Sequence, residues 1–252
     1  RSTLSSSSAA SDVYKRQAME RSEIVSNLET VRQRVAKAAR RSGRSPSAVE
    51  LLVVSKTWPA EVVSHVVESG HELLGENKLQ EAELKIPGLP PSVRWHFIGR
   101  LQRNKARKTL ALFDAIHSVD TLRLAAHLSR IAGEMGKTSR IYLQVNLDHE
   151  ESKGGFSVSQ LREDLPELLS MPHLYIAGLM SIPPAVEDPE KARCSFRKLR
   201  EFRDSLESDV GVEIEGLSMG MSHDFEVAIE EGATIVRVGS SIFGPRSQKG
   251  LS

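Results

Sequence analysis

Cysteine is nearly missing from this chain: Cys194 stands alone among 252 residues, which excludes an intrachain disulfide and a thiolate metal cluster. An excess of one charge is missing as well. With 34 basic and 33 acidic side chains the formal net charge is +1, and nothing in that balance favours nucleic acid as a partner. No apolar run approaches the ~18 residues that a membrane helix needs. The 8 histidines include no His-Glu-x-x-His and no closely spaced pair, so no metal site is expected. What remains is ordinary: 39% hydrophobic and 27% charged residues, long enough to bury one α/β barrel or two small domains. A reducing cytoplasm is the expected compartment.

Residues 1–18 stand apart. Their first ten are rich in Ser and Ala, with Arg and Lys nearby, a composition shared with transit peptides. Yet Asp12-Val13-Tyr14-Lys15-Arg16-Gln17 resembles the translation of a transposon adapter used in DNA library preparation, and Met19 follows almost at once. Residues 1–18 are therefore read as a non-native, disordered segment, and 19–252 as the folded domain.

From 19 to 41, Ile24, Leu28, Val31, Val35 and Ala38 fall at helical spacing, and Gly43 and Pro46 end that helix. Short branched apolar runs then alternate with helical patterns. Strands are expected at 50–55 (ELLVVS), 71–75, 94–99 (RWHFIG), 113–119, 140–147 (RIYLQVNL), 174–181 (LYIAGLMS), 213–218 and 234–239 (TIVRVG). Helices are expected at 59–70, between the second strand and the proline-rich break at 87–91, and at 102–110, 121–136, 157–170, 187–208 and 222–232. Eight strands, each followed by a helix or a short closing segment, argue for a single (β/α)8 TIM-type barrel with an extra N-terminal helix. An open doubly wound sheet is the competitor. It normally carries a glycine-rich turn after its first strand, where this chain has Ser55-Lys56-Thr57-Trp58-Pro59.

In such barrels function gathers where strands end and helices begin. Lys56 follows the first strand there. Beside an apolar barrel mouth its ammonium is desolvated, which lowers the pKa and frees the amine to attack an aldehyde; a solvated strand-end lysine is the plainer alternative. The seventh strand ends in Ser218-Met219-Gly220-Met221-Ser222, and the eighth runs through Arg237 into Gly239-Ser240-Ser241. Two adjacent strand ends that each feed small residues into a helix start offer N–H groups and hydroxyls to a phosphate. Either one alone reads as an N-cap or a turn. The second and third strands add Asn77, a hydrogen-bond partner for a ring substituent, and His96 and Ile98 as pocket walls. A lone strand histidine is more often a satisfied core residue.

Ser55-Lys56-Thr57, Gly75-Glu76-Asn77 with Gln80-Glu81, and Trp95-His96-Phe97-Ile98-Gly99 occur in order, followed by Leu101-Gln102 with Asn104-Lys105, Glu151-Ser152-Lys153 and Gly178-Leu179-Met180. Leu217-Ser218-Met219-Gly220-Met221-Ser222 and Val236-Arg237-Val238-Gly239 with Ile242-Phe243-Gly244 complete the series. Over residues 22–246 the chain thus resembles the YggS/PROSC family of pyridoxal phosphate-binding homeostasis proteins. The resemblance implies a fold similar to the N-terminal barrel of alanine racemase and a Schiff base between Lys56 and pyridoxal 5'-phosphate. It implies phosphate near Ser222 and the backbone of Gly239 and Ser240, with Ser218 and Met219 close by, and Arg237 facing the pyridine nitrogen. Departures are few: His223 stands where an acidic residue is common, Arg103 where Ser or Thr is usual, and Ser240 where Thr is frequent.

Storage or delivery of the cofactor is favoured over catalysis. A racemase of similar fold needs a tyrosine base from an additional C-terminal domain, and no tyrosine follows Tyr175 here. Ala60 stands where the racemase pattern has a phosphate-binding tyrosine. An arginine beside the pyridine nitrogen keeps it unprotonated and weakens the ring as an electron sink. No catalytic residue is therefore expected. A racemase-like enzyme is the alternative, and a barrel for another phosphorylated ligand is a third reading. Gly136-Lys137-Thr138 imitates the end of a phosphate loop but has Ile131 in place of the upstream glycine. The expected partners are the cofactor and apo-enzymes that use it, with the protein itself a monomer away from membranes and nucleic acid. Lys153 offers a second, transient amine or is a solvated loop lysine.

Overall fold

The computed structural model describes residues 6–147 and 154–244, with side chains from Arg21 onward. Glu151, Ser152 and Lys153 lie outside the described residues. In chain order the elements are α1 (Ser6–Arg41), β1 (Glu50–Val54), α2 (Ala60–Glu68), β2 (Leu73–Glu76), α3 (Leu79–Lys85), β3 (Arg94–Phe97), α4 (Ala106–Leu112), β4 (Ala115–Val119), α5 (Leu122–Glu134) and β5 (Ser139–Gln144). They continue with α6 (Val158–Leu169), β6 (Leu174–Met180), α7 (Arg193–Val210), β7 (Gly216–Met221), α8 (Phe225–Glu230), β8 (Ile235–Val238) and α9 (Ser240–Phe243). The eight strands are parallel and close in chain order, β1 pairing with both β2 and β8. The expected (β/α)8 barrel is what forms, and the open sheet is excluded.

Alternation along the strands sorts side chains between two cores. On β1, Leu51 and Val53 point outward into the main core beneath the helices, whereas Leu52 points inward and meets Leu73, Ile235 and Ile98. Ala115, Tyr142, Ala177 and Met180 form a second interior cluster. His96, His117, Ser218 and Arg237 are buried too, and polar. Among the outer helices, Thr121 caps α5 and Ser157 caps α6, each accepting a backbone N–H of the first turn. Leu128, Leu165 and Leu199 are fully buried on the inner faces of α5, α6 and α7, each worth about 1.5–3 kcal/mol.

Helix α1 starts at Ser6, earlier than expected. Its residues 6–18 are helical where disorder is expected, because no glycine or proline interrupts the chain before Gly43. From Ile24 onward the periodic apolar face is buried, packed on α8 and α9. Arg34 pairs with Glu226 at 2.8 Å, and Arg44 donates to the Ala233 carbonyl at 2.8 Å. Strand β7 also differs from expectation, running to Met221 and not stopping at Ser218. Its register against β8 shifts between Ser218 and Met221. Gly220 makes that possible: its φ is +89°, and a Cβ there would lie 2.6 Å from that of Ala228. The shift delays α8 to Phe225 and leaves Ser222 and His223 in a turn at the barrel mouth. No described helix is long and apolar enough to cross a membrane, and no metal-binding group of three side chains occurs among the described residues.

Candidate functional site

Lys56 sits between two anchored neighbours. Ser55 is fully buried; its hydroxyl donates to Glu76 Oε1 at 2.7 Å and its carbonyl accepts from Lys85 Nζ at 2.7 Å. Lys85 also forms an ion pair with Glu76, and both side chains are almost inaccessible. Burial pushes the Glu76 carboxyl up, against the pull of Lys85 and Ser55. On the other side, Thr57 has φ +71°, the one positive value outside glycine among the described residues. Its N–H donates to Glu81 Oε2 at 2.8 Å, which holds the strained turn.

At the C-terminal ends of the strands lies a cavity of about 470 Å³. Lys56, Asn77, Ile98, Ser222, Arg237, Gly239 and Ser240 line it, together with Trp58, which stacks on Phe243 at 5.6 Å. Seven of the ten expected residues are thus gathered in one wall. Gly99 belongs to it because the Asn77 carbonyl occupies the space a side chain would need, 1.9 Å from an added Cβ.

On the β7–β8 side, Ser222 Oγ accepts from the N–H of Gly239 at 3.1 Å and of Ser241 at 3.4 Å. Ser222 is not the N-cap of α8 that its sequence position suggested, since Asp224 takes that place. Its hydroxyl hydrogen and the N–H of Ser240 have no acceptor among the described residues, and both residues line the cavity. His223 is fixed at the rim by its Nε2, 2.8 Å from the Glu187 carbonyl.

Arg237 lines the cavity at 4% exposure. Nη1 donates to the carbonyl and the hydroxyl of Ser218, both at 2.7 Å, and Nη2 to the Ser181 carbonyl at 2.9 Å. Three of five guanidinium donors are therefore engaged, leaving Nε–H and one Nη2–H. All partners are neutral, and burial lowers the group to about 10, with Asp224 pulling the other way. Asn77 Oδ1 and Ser181 Oγ are buried polar atoms without a partner among the described residues. A ligand with an acceptor for Arg237 and a donor for Asn77 Oδ1 fits the site.

Three expected residues are not in the wall. His96 and Ser218 lie one inward layer deeper than Ile98 and Gly220, because alternate residues share a face. His96 Nδ1 is 2.9 Å from His117 Nε2, and His117 Nδ1 is 2.8 Å from Ser218 Oγ. Met219 points the other way, into the main core at 0% exposure. His117, Glu76 and Lys85 were missed as parts of the site. The available signal for His117 was a polar residue at an inward position of the apolar run AIHSV. Burial pushes His96 down to about 3 and His117 well below the ordinary value, so both are neutral.

A closed barrel with a lysine after its first strand and a polar cradle between its last two defines a class. The family model described as alanine racemase, N-terminal domain, matches residues 26–247. Within that class the chain belongs to the YggS/PROSC family of pyridoxal phosphate homeostasis proteins. It is 44% identical to the pyridoxal phosphate homeostasis protein of Aquifex aeolicus (strain VF5) over 220 residues, 87% of this chain and 96% of that one. To the protein of the same name from Escherichia coli (strain K12) it is 37% identical over 237 residues, 89% of this chain and 97% of that one. The structure of PipY from Synechococcus elongatus PCC7942, with PLP bound, is similar at 38% identity and TM-score 0.79, covering 88% of this chain and 100% of that one.

Proposed function

We propose that this chain binds pyridoxal 5'-phosphate as a Schiff base on Lys56 and serves intracellular homeostasis of the cofactor, storing it and delivering it to apo-enzymes. The observation that carries this reading is the convergence of Lys56, Arg237 and the Ser222–Gly239–Ser240 cradle in one cavity of about 470 Å³. Lys56 supplies the amine, Ser222 and the backbone of Gly239 and Ser240 hold the phosphate, Arg237 donates to the ring nitrogen, and Asn77 meets a ring substituent. An imine to lysine is reversible, so the same bond retains the cofactor and lets it go.

Turnover of amino acids is disfavoured. No tyrosine and no carboxylate lines the cavity among the described residues, which leaves no obvious partner base for Lys56. His223 is at the rim with Nε2 on the Glu187 carbonyl, a contact that leaves Nδ1 uncommitted, so the turnover assay below decides its role. Arg237 as the ring partner also weakens electron withdrawal. We place the protein in the cytoplasm as a monomer, with residues 1–18 foreign to it. The test mixes holo-protein with an apo-enzyme that needs the cofactor and follows recovered activity, while both isomers of common amino acids are assayed for turnover. Transfer faster than from free cofactor and no turnover are expected. Racemisation or decarboxylation that disappears in Lys56→Ala would overturn the non-catalytic reading.

A further inference from the structure

Beneath the cavity runs a chain of buried hydrogen bonds that ends on Arg237 in its wall. Arg237 Nη1 lies 2.7 Å from Ser218 Oγ, Ser218 Oγ 2.8 Å from His117 Nδ1, and His117 Nε2 2.9 Å from His96 Nδ1. None of the four residues is more than 4% exposed.

The chain has only one consistent direction. A guanidinium donates and never accepts, so Ser218 Oγ accepts from Arg237. The hydroxyl hydrogen has no other acceptor among the described residues, so the arrangement that leaves no buried donor unsatisfied sends it to His117 Nδ1. His117 therefore carries its proton on Nε2 and gives it to His96 Nδ1, and His96 in turn is protonated on Nε2. One cation at the cavity fixes two tautomers behind it. A proton added to His117 Nδ1 would leave the Ser218 hydroxyl hydrogen without an acceptor. The burial that keeps both imidazoles neutral is what the arrangement requires. The Tyr142 ring, stacked on His117 at 4.2 Å, holds the imidazole plane.

We infer that His117, backed by His96, is a positioning residue for the cofactor site. It orients the Ser218 hydroxyl with a lone pair toward Arg237. The guanidinium is thereby gripped by three oxygens on one side and keeps Nε–H and the spare Nη2–H for the ligand. This rests on the pyridoxal phosphate reading.

The experiment measures pyridoxal phosphate affinity and the absorbance spectrum of the bound cofactor across pH. It compares wild type, His117→Leu, His117→Asn, Ser218→Ala and the His117→Leu/Ser218→Ala double variant, each checked for folding by circular dichroism. His117→Leu should weaken binding on the order of tenfold, the scale of one net hydrogen bond, and shift the spectrum's pH profile. His117→Asn, which keeps an acceptor near the place of Nδ1, should recover most of the affinity. The double variant should bind no more weakly than the weaker single one, because both substitutions break the same link. Should His117→Leu not fold, Ser218→Ala, which removes only a hydroxyl, carries the same expectation. Wild-type affinity and spectrum in a folded His117→Leu, or fully additive losses, overturn this inference alone. A wild type that does not bind the cofactor overturns the functional reading and this inference with it.

Discussion

Acid should loosen this barrel from the inside. His96 and His117 are 4% and 0% exposed. Burial holds His96 down to about 3, with Arg94 and Arg140 adding to the effect, and it holds His117 well below its ordinary value, helped by His96, Arg237 and Arg140. In the unfolded chain both return to about 6.5. Between those limits the unfolded state binds more protons than the folded one, so stability is complete above about pH 6.5 and is lost as pH falls. From about pH 7 to about pH 5 each imidazole favours the unfolded chain by roughly 2 kcal/mol, hence roughly 4 kcal/mol for the pair. That is a large share of the ~5–15 kcal/mol that holds a domain together. His71, lowered to about 4 by burial, adds to the loss. Glu76 acts in the opposite sense, because a carboxyl raised by burial takes up its proton first in the folded state. A comparison between variants cancels both. Urea unfolding at about pH 7, 6 and 5 would be followed for wild type and His117→Leu. The variant should start less stable but lose roughly 2 kcal/mol less between the extremes. Parallel pH dependences in the two proteins would refute the claim that His117 is buried and neutral.

Lys56→Ala should fold normally yet show no yellow colour with pyridoxal phosphate; a borohydride-fixed pyridoxyl group mapped to another lysine in the wild type would remove Lys56 from its role. Pyridoxal without phosphate should bind orders of magnitude more weakly, since several charge-assisted bonds of roughly 1.5–3 kcal/mol each are lost; equal titration curves for the two compounds would rule out the cradle. Lys85→Met leaves Glu76 buried without its cation and should cost roughly 3–5 kcal/mol in denaturant unfolding, whereas a loss below about 1 kcal/mol would mean the pair is not buried in solution. A chain starting at Met19 should match the full chain in melting temperature and cofactor content, and a marked drop in either would make residues 1–18 part of the fold.

The barrel was legible because the strands are short, mostly apolar and bounded by breakers, and because eight such units leave few other closures. Boundaries failed where local pattern and tertiary register diverge. The run GLSMGM continues as strand past Ser218 only because Gly220 adopts a positive φ and admits Ala228 closely, and no periodicity reveals that. The early start of α1 shows the reverse. Residues 6–18 lack an apolar stripe, but nothing in them stops a helix already set by the face from Ile24 to Ala38.

The cavity wall was legible for a simple reason: residues just past strand ends reach the mouth wherever the barrel closes. The layer beneath was not, because its members come from β3, β4, β7 and β8 and meet only through the closure. That layer also explains the chemistry of the site better than any motif does. Arg237 is a nearly inaccessible cation whose hydrogen-bond partners are all neutral oxygens, with the charge of Asp224 only partly offsetting the cost of its burial. His96 and His117 cannot offset it, being held neutral themselves. Lys56, a second cation when protonated, lines the same cavity. On the proposed reading, a phosphorylated ligand with an acceptor for Arg237 would offset the cost of burying that guanidinium. Binding to the folded state alone stabilises it by RT ln(1 + [L]/Kd), about 2.7 kcal/mol at a hundredfold excess over Kd. A site built this way would gain stability from its ligand without needing to transform it, as the proposed storage role requires.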